Sequence, residues 1–588
     1  MLVGGMKVYI LTKRFLLLVV LVGILAGIGA FIFRVLIDLF STLQMGLIAG
    51  YEPPPIYGEE NLFEFIGKSQ FRRELLIILP AMGALISALI VFLFAPEAEG
   101  EGTDATIKTY HHNKGLMKLK VVFVRMIASA IFLGSGASAG REGPICQIGG
   151  GIGSHVAIKF HLTTREREIL LVSGMAAGLA SIFKSPFGGA LFGIEVLYKE
   201  DYEIEAFVPS IIASFVGYIV YSSLSGWEPV FHTVIKTPHP IELVFFVILG
   251  VIAGLLSRFH SWFYIKVDEF FKKMELQRPF KPVIGGLFVG VIGYFLLPVF
   301  GVGYGWIQEA LDGKLFVEYS ITIIVILIFA KIIATGLSVG SGGSGGMFAP
   351  SLVIGGLLGG AFGYIISPYI PIESGGGLDM FILVGMAAFF AGAANVPLAS
   401  IIMVSELAGN YNILLPAVLA SFISYIVSGN QSIYIYQLRS KFESPIHLGD
   451  FYYLTLSRFH VRDAMAMSAV TVKPEDPLIE VEKLVSKYGY SMYPVVDEKE
   501  RFIGIITLKE VLKVNHKDRS VVKVKNVMIK DSIYVYPTDN LWRVLSVMID
   551  HDLAKIPVVS PKTMEVMGVI TLRDISKLLY YKGLEILK

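Results

Sequence analysis

The sequence is poor in charged residues, cysteine and tryptophan. Charged residues make up 17% of the 588 residues, the net charge is +2, and there are four tryptophans and one cysteine, Cys146. A single cysteine excludes an intramolecular disulfide framework and a cysteine-rich metal site. The near-zero net charge, without a basic patch interleaved with aromatic residues, gives no support for nucleic acid as a partner.

Apolar residues are abundant instead, at 54% of the chain, and the mean hydropathy is +0.66. The apolar runs Phe15–Phe33 and Leu75–Ala95 are each long enough to cross a bilayer. The first is too long for a signal-peptide core and no small-residue cleavage site follows it, so it predicts a retained span. Lys13 and Arg14 precede it and favour a cytoplasmic N-terminus. We therefore expect a multi-pass protein of the cell membrane.

Several apolar segments are short or interrupted by glycine and proline, which membrane helices tolerate only where they face protein or a polar cavity. One interrupted pattern occurs twice at an offset of 211 residues: Gly174, Pro186 and Glu195 recur as Gly385, Pro397 and Glu406. In transporters, paired interruptions in two halves of a chain indicate the substrate site. The pattern predicts two structural repeats of roughly 200 residues, and it does not by itself give their relative orientation.

The pentapeptide Gly140–Pro144, with the sequence GREGP, lies between two apolar runs. A carboxylate at membrane depth costs about 2.5–3.5 kcal/mol on insertion scales, so Glu142 is unusual. Proline is well tolerated in a first helical turn, and Pro144 therefore predicts a helix start whose free N–H groups attract anions. One interpretation is an Arg141–Glu142 pair that caps a helix at the membrane surface. The other is an anion site at which Glu142 competes with a permeating anion.

The composition changes after Ser440, where charged residues become frequent and short β-branched runs alternate with amphipathic stretches. This region also repeats, because VRDAM (461–465) matches VKNVM (524–528) and YPVVD (493–497) matches IPVVS (556–560), both at an offset of 63 residues. We expect a membrane domain over residues 1–440, a linker over 441–460, and two α/β modules over 461–515 and 524–580.

With these motifs placed, residues 1–440 resemble the CLC family of chloride channels and proton-coupled anion antiporters. The C-terminal modules resemble a tandem pair of cystathionine-β-synthase (CBS) domains. The membrane resemblance is carried by GREGP, by GMFAP at Gly346–Pro350 and by SIY at Ser432–Tyr434. It implies a polytopic all-α membrane protein of two inverted repeats with broken helices, followed by an α/β CBS pair. It also implies a homodimer in which each subunit has its own pathway.

The resemblance assigns roles to the pentapeptide. Glu142 matches the family's gating glutamate, which occupies an anion site when charged and swings away when protonated or displaced. Arg141 and Gly143 flank it and are expected to contribute to anion binding. Burial favours a neutral Glu142 and helix amides favour a charged one, so anion and proton occupancy would be coupled at this residue.

Four further positions match residues that line the family's anion path or lie beneath it. Met347 and Phe348 match positions where backbone amides face the central anion. Tyr434 matches a tyrosine whose hydroxyl donates to that anion from the inner side; without the resemblance, an interfacial aromatic near the end of a span is the simpler interpretation. Arg125 matches a frequent basic residue beneath the site, where a buried cation raises the potential for anions.

This chain departs from the family's filter motif G-S-G-x-P, which follows a segment like Ala95–Ala98. Here Glu101 replaces the serine and Asp104 replaces the proline. A second carboxylate near the path repels chloride if it is ionised, unless it is protonated, turned away or paired with a cation. Asp104 is a residue type that caps helices well, so we expect it to act as a helix cap.

The second departure concerns the inner proton-transfer glutamate of many antiporters, which is the second residue of an E-E pair. Here the pair is Glu195-Val196, and valine carries no proton. Valine at this position is typical of channel members, so a passive voltage- or pH-gated chloride channel is the alternative function. Glu195 and Glu101 are possible substitutes for the missing acid, and we favour chloride transport coupled to protons.

In the second CBS module, Thr571–Asp574 resembles the T-x-x-D motif that binds the ribose of adenine nucleotides. The same residues suit a capping box at a helix start. An adenine nucleotide is thus the one ligand expected at the CBS pair, and no cofactor is expected for transport.

Three other patterns receive simpler interpretations. Gly342–Gly346 fits G-x-S-x-G but lacks the strand–turn–helix setting of hydrolases, so we expect no enzyme. The run Gly149–Gly153 suits close packing of membrane helices better than a phosphate loop. His111 and His112 lie in a segment expected to be a polar loop, without further metal ligands at a fitting spacing.

A CBS-regulated divalent-cation channel is the remote alternative for the whole protein. Glu101 and Asp104 support it, whereas Arg125 and Arg141 oppose it.

Overall fold

The computed structural model describes residues 12–586 except 60, 61, 64, 65, 68, 234, 236, 370–376, 448–452 and 454. These residues form two compact units, of which the first ends at Ile446 and the second begins at His447. The expected membrane boundary at residue 440 lies close to this division. Of the expected linker 441–460, residues 448–452 and 454 lie outside the described residues.

The first unit is helical. Its helices are α1 (Lys13–Ser41), α2 (Leu75–Phe94), α3 (Gly102–His112), α4 (Leu119–Gly134), α5 (Glu142–Lys159), α6 (Thr164–Phe183), α7 (Pro186–Glu195), α8 (Phe207–Ser225), α9 (Glu242–Lys273), α10 (Lys281–Phe295), α11 (Tyr304–Leu311), α12 (Lys314–Glu318), α13 (Ile321–Gly340), α14 (Phe348–Ile366), α15 (Gly377–Ala394), α16 (Pro397–Leu407) and α17 (Leu414–Ser428).

Within the described ranges, eight helical segments are long and apolar enough to cross a membrane. They contain α1, α2, α8, α9, α13, α14, α15 and α17, which include the two runs recognised in the sequence. Four of the helices between them, α3, α7, α11 and α16, are only 8–11 residues long. The unit is therefore a multi-pass membrane domain that combines helices long enough to span a bilayer with much shorter ones.

The repeated proline–glutamate pattern has a reciprocal structural basis in α7 and α16. Glu195 at the end of α7 accepts hydrogen bonds from the backbone nitrogens of Leu398 and Ala399, 3.1 and 2.7 Å away, in the first turn of α16. Glu406 near the end of α16 accepts one from the Gly188 nitrogen, 2.9 Å away, in the first turn of α7. Each carboxylate thus binds free N–H groups at the positive end of the other helix, which requires α7 and α16 to be antiparallel.

The segments that lead into α5 and α14 meet in the same way. Gly140 and Gly346 exchange two backbone hydrogen bonds of 2.7 and 2.9 Å in an antiparallel bridge. Equivalent elements of the two repeats therefore approach each other from opposite directions at two separate places. The prediction of two inverted repeats is confirmed.

Glycines set the spacing between neighbouring broken helices. A Cβ on Gly149 of α5 would collide with the carbonyl oxygen of Gly174 in α6, and one on Gly355 of α14 would collide with that of Gly385 in α15. Small residues let membrane helices approach to backbone contact. This confirms the interpretation of the Gly149–Gly153 run as a packing feature.

The second unit contains strands and helices. Its elements are β1 (Ala466–Met467), α18 (Leu478–Tyr488), β2 (Met492–Val496), β3 (Phe502–Thr507), α19 (Leu508–Leu512), α20 (Leu541–Asp550), β4 (Lys555–Val559), β5 (Val566–Thr571) and α21 (Leu572–Ile586). They form one antiparallel sheet in the order β1-β5-β4 and one in the order β2-β3.

The two modules of this unit exchange their leading segments. Val461, at the start of the first copy, is buried in the core of the second module, and β1 pairs with β5. Val524, at the start of the second copy, is buried in the core of the first module. The repeated VRDAM and VKNVM segments thus serve the same packing role, each in the opposite module.

Candidate functional site

The N-terminal ends of three helices, α3, α5 and α14, converge in the membrane unit. Glu101, immediately before α3, forms a bridge with Gly345, and Gly140, just before α5, forms one with Gly346, just before α14. The first N–H groups of a helix have no acceptor within that helix and form its positive end. Three such ends in one buried region make a strong site for negative charge.

Glu142 is the first residue of α5, and its side chain is fully buried. Its Oε1 accepts a hydrogen bond of 2.9 Å from the hydroxyl of Tyr304, the first residue of α11. Its Oε2 has no hydrogen-bond partner of normal geometry in the described part of the chain and faces the backbone of Gly140 and Ala349. The carboxylate therefore lies at the junction of the α5 and α14 N-termini.

Arg141 turns away from this junction. Its guanidinium donates two hydrogen bonds of 2.7 Å to the carboxylate of Glu59, and its Nε lies 3.9 Å from Glu142 Oε1. All three side chains are at most 5% exposed. The surface cap considered from the sequence is therefore wrong, because the Arg141–Glu142 pair is buried. Because the guanidinium binds Glu59, Arg141 can contribute to anion binding only through its backbone and through its charge at longer range.

Met347 and Phe348 begin α14 and are fully buried. Tyr434 lies beyond the end of α17, is 1% exposed, and its hydroxyl has no hydrogen-bond partner among the described residues. The Tyr434 ring contacts Phe192 at a centroid distance of 6.4 Å, and Phe192 contacts Phe348 at 5.5 Å. Burial contradicts the interfacial interpretation of Tyr434 and places it with the residues that the motifs selected.

An aromatic row connects this region to Glu142. Phe183 packs on Phe348 at 4.8 Å and on Tyr304 at 6.2 Å between ring centroids. Tyr304, Phe183, Phe348, Phe192 and Tyr434 thus form a continuous chain of contacts from the Glu142 carboxylate to the Tyr434 hydroxyl. No motif marks Tyr304, Phe183 or Phe192 in the sequence, because an aromatic residue in an apolar run has no distinguishing pattern.

Glu101 caps α3. Its Oε2 accepts a hydrogen bond of 2.5 Å from the backbone nitrogen of Asp104. The expectation that Asp104 is the cap is therefore wrong. The Asp104 side chain instead accepts a 2.7 Å hydrogen bond from the Tyr436 nitrogen and fixes the segment that carries Tyr434.

Arg125 lies beneath Glu101 and is fully buried. Its guanidinium donates to the Gln147 side chain at 2.5 Å, to Ser344 Oγ at 2.8 Å and to the Gly100 carbonyl at 2.9 Å. Nη2 has no hydrogen-bond partner among the residues that the structure describes. This arrangement fits the predicted cation beneath an anion site.

A cavity of about 660 Å³ reaches this region from one side, and we call it the vestibule. Its lining includes Glu101, Asp104 and Gln147, but neither Glu142 nor Tyr304. Its five acidic residues are Glu97, Glu99, Glu101, Asp104 and Asp268, and its five basic residues are Lys108, Lys118, Lys272, Arg278 and Lys281. The balance of charge gives ions of neither sign a clear preference, so selectivity depends on the buried groups beyond the vestibule.

Residues 83–429 match the family model of voltage-gated chloride channels, and residues 461–517 and 524–581 match CBS domains. The chain belongs to the CLC family. It is 32% identical over 421 residues to the H(+)/Cl(-) exchange transporter ClcA of Vibrio campbellii, and the alignment covers 67% of this chain and 88% of that protein. It is 28% identical over 366 residues to an uncharacterized protein of Methanocaldococcus jannaschii, covering 61% and 87% respectively.

Solved structures share the fold. A slow cyanobacterial Cl−/H+ antiporter superposes with a TM-score of 0.61 at 22% identity and covers 72% of this chain and 96% of that one. A eukaryotic CLC transporter superposes with a TM-score of 0.57 at 19% identity and covers 97% and 99%. The CLC fold with a C-terminal CBS pair is therefore confirmed.

In this CLC protein the predicted inner proton position carries no acid. Val196 is fully buried at the end of α7. Its neighbour Glu195 binds two backbone nitrogens of α16 and does not line the vestibule. The sequence offered Glu195 and Glu101 as substitutes for the missing acid. Glu195 caps the start of α16, whereas Glu101 borders the vestibule.

The CBS residues Thr571 and Asp574 form a capping box at the start of α21. Asp574 Oδ2 accepts from the Thr571 nitrogen at 3.0 Å and from its hydroxyl at 2.6 Å, and Thr571 Oγ1 accepts from the Asp574 nitrogen at 3.2 Å. This is the structural alternative that the sequence offered. Nucleotide binding at these residues stays a prediction.

His111 and His112 do not lie in a loop, because they form the last turn of α3. His111 is buried, and its ring nitrogens lie 2.9 Å from Ser444 Oγ and 3.1 Å from the Leu197 carbonyl oxygen. The pair is part of the packing between α3 and the segment before the second unit.

Proposed function

We propose that this protein exchanges chloride, or an anion of similar size, for protons across the membrane, with Glu142 as the gate. The observation that carries the proposal is the burial of the Glu142 carboxylate at the joined N-termini of α5 and α14. Such a position stabilises one negative charge. A free anion and the carboxylate therefore compete for it.

The mechanism follows from this competition. The charged Glu142 is stabilised by helix N–H groups and by the Tyr304 hydroxyl, and in that state it blocks the path. Protonation removes its charge and weakens both interactions, so that an anion can take its place. Each cycle then exchanges a proton on Glu142 for an anion on the same helix ends.

Val196 favours a second candidate, a passive chloride channel. A buried valine at the predicted inner proton position offers no acid for transfer to the vestibule side. In such a channel Glu142 would open on protonation from one side, and no net proton movement would accompany the anion.

Reconstitution of the full chain in liposomes tests the proposal. Vesicles loaded with KCl are diluted into potassium gluconate with valinomycin, and a chloride electrode and a pH electrode record both fluxes. For an exchanger, we expect chloride efflux above that of empty vesicles, together with alkalinisation of the external medium as protons move inward. A proton ionophore added last calibrates the stored proton gradient.

The possible outcomes separate the candidates. Chloride efflux without proton movement supports the passive channel, and the absence of efflux contradicts anion transport altogether. A reversal potential in a chloride gradient that follows a divalent cation rather than chloride would support the remote cation-channel alternative. Arg125 opposes that alternative, because a buried cation repels permeating cations.

We further propose a homodimer with its N-terminus and CBS pair in the cytoplasm and with transport regulated by an adenine nucleotide. A nucleotide on Thr571 and Asp574 would have to share or replace the capping box of α21. Titration of the full chain with ATP, ADP and AMP by calorimetry tests this, and we expect at least a tenfold loss of affinity in Asp574→Ala. Unchanged affinity in that variant would move the site elsewhere.

A further inference from the structure

The vestibule ends at a carboxylate in this protein. Glu101 lines the vestibule and is 5% exposed, while Glu142 does not line it. An acid at this place is reachable by protons from one side and lies next to the gate on the other. Glu101 and Glu195 are the two candidate substitutes for the acid that is missing at position 196. Of these two, Glu101 borders the vestibule and Glu195 does not.

The two oxygens of Glu101 have different environments. Oε2 is held by the Asp104 nitrogen as the cap of α3. Oε1 lies against Gly143, the residue after the gating glutamate, where an added Cβ would collide with it. Oε1 has no hydrogen-bond partner of normal geometry among the described residues, although the Thr103 hydroxyl is a neighbour. One oxygen is therefore anchored, and the other is available to bind a proton.

Other buried polar groups share this region. The Tyr434 hydroxyl and the Thr103 hydroxyl also have no hydrogen-bond partner in the described part of the chain, and both side chains are almost fully buried. Cys146, one turn after Glu142, interacts electrostatically with both carboxylates, so that it lies near Glu101 and Glu142 together. Buried polar atoms are nearly always hydrogen-bonded in proteins, so these hydroxyls need a partner such as ordered water or an ion.

The titratable and charged groups that face Glu101 come from five elements. They are Asp104 on α3, Arg125 on α4, Cys146 on α5, Tyr264 on α9 and Tyr434 in the segment after α17. Arg125 is the cation among them, and it already donates to three neutral groups. It therefore favours a charge on Glu101 without the direct salt bridge that would fix it.

We propose that Glu101 is the inner proton-binding site of this exchanger and that its protonated form donates a hydrogen bond to the anion. An ionised carboxylate only accepts hydrogen bonds, whereas a protonated one has an O–H to donate. A proton from vestibule water bonds to Oε1, and the neutral group no longer repels chloride but donates to it. This inference depends on the proposed function, because it names the proton site of that exchange.

The cycle then balances without an acid at position 196. The proton leaves Glu101 for the Glu142 carboxylate as the anion moves towards the vestibule, and Glu101 returns to its charged form. One O–H bond breaks and one forms at each transfer, and no other reactant is needed. Anion binding from the vestibule is thereby coupled to protonation of Glu101 as well as of Glu142.

Variants at Glu101 test the proposal in the liposome assay described above. Glu101→Gln and Glu101→Ser both keep a group that can cap α3 but cannot release a proton. We expect chloride efflux to persist and proton movement to fall at least tenfold in both. Glu101→Asp keeps the acid and is expected to retain proton movement within about threefold. Glu318→Gln, an exposed acid at the end of α12 that does not line the vestibule, is the control and is expected to behave as the unsubstituted protein.

A second readout distinguishes a proton site from a structural cap. In the unsubstituted protein, we expect the KM for chloride to rise about tenfold for each pH unit on the vestibule side above the midpoint of Glu101 protonation. In Glu101→Ser we expect this dependence to disappear. Proton movement at the unsubstituted ratio in Glu101→Gln and Glu101→Ser would overturn the proposal. So would loss of both fluxes in these variants when they elute as folded protein. If the unsubstituted chain moves no chloride, the proposed function itself fails, which is a separate result.

Discussion

Replacing Glu142 with glutamine is expected to abolish proton coupling while anion flux continues. Glutamine has the shape of the protonated glutamate but cannot gain or lose a proton, and it cannot present a negative charge to the α5 and α14 N-termini. In reconstituted vesicles, proton movement should fall to the level of empty liposomes. Chloride efflux should remain within several-fold of the starting rate and should no longer respond to pH on the outer side, while the dependence on vestibule pH through Glu101 is kept.

Glu318→Gln is a suitable control for this experiment. Glu318 lies at the end of α12, is exposed, and does not border the vestibule. Its replacement removes the same charge without touching the site and is expected to leave both fluxes unchanged. If proton-driven uphill chloride uptake persists in Glu142→Gln, Glu142 is not the gate of a coupled exchanger.

Replacing Tyr304 with phenylalanine is expected to open the gate. The hydroxyl donates a 2.9 Å hydrogen bond to Glu142 Oε1, in a fully buried environment. A hydrogen bond to a charged group contributes about 1.5–3 kcal/mol, which corresponds to roughly a 10- to 100-fold change in gate occupancy. We expect faster chloride efflux at neutral pH and half-maximal activation at a higher pH than in the unsubstituted protein.

The direction of the pH effect follows from the donor. Tyr304 stabilises the charged, blocking form of Glu142, so its loss lets protonation release the gate at a lower proton concentration. Tyr364→Phe removes the same hydroxyl from an exposed residue on α14 whose ring stacks on Phe316, and it should not alter the activation curve. An unchanged activation curve in Tyr304→Phe would show that Tyr304 does not hold the gate.

The variants at Glu142, Tyr304 and Glu101 give distinct results. Loss of Glu142 removes both the gate and the proton, and loss of the Tyr304 hydroxyl changes the gate while coupling is kept. Loss of the Glu101 acid is expected to remove coupling while the gate still responds to pH from the outer side, because Glu142 remains. These three patterns assign separate functions to residues that lie within one buried region.

Much of the membrane fold was predictable from the sequence because its causes are local or periodic. The runs that become α1 and α2 are defined by length and apolarity alone. Pro144 predicts a helix start, and the structure begins α5 two residues before it, at Glu142. The recurrence of Pro186 and Glu195 as Pro397 and Glu406 indicated two repeats, since equivalent positions in a repeat meet the same requirements.

The sequence could not show what the repeated glutamates bind. Glu195 and Glu406 each cap the helix of the other repeat, and this pairing requires two segments about 200 residues apart to be antiparallel. No local pattern encodes that orientation. The exchange of Val461 and Val524 between the CBS modules was equally hidden. In the sequence, a valine that packs in the core of the other module cannot be distinguished from one that packs in its own.

For the candidate site, sequence motifs identified Glu142, Met347, Phe348 and Tyr434 and missed the partners that only tertiary contacts bring to them. GREGP and GMFAP were recognisable because a helix start at membrane depth needs glycine and proline at fixed places. Tyr304 and Glu59 carry no such pattern, and only folding brings them to within 2.9 Å of Glu142 and 2.7 Å of Arg141.

By itself, the sequence predicted a CLC-type membrane protein with a CBS pair, a helix start at Glu142–Pro144, and Glu101 at the place that the family's filter motif gives to serine. The tertiary structure decided that Arg141 binds Glu59, that Glu101 rather than Asp104 caps α3, and that Glu101 borders the vestibule. The reason is physical. A helix start is set by a few consecutive residues, whereas the partner of a buried charge is set by which distant segments share its cavity.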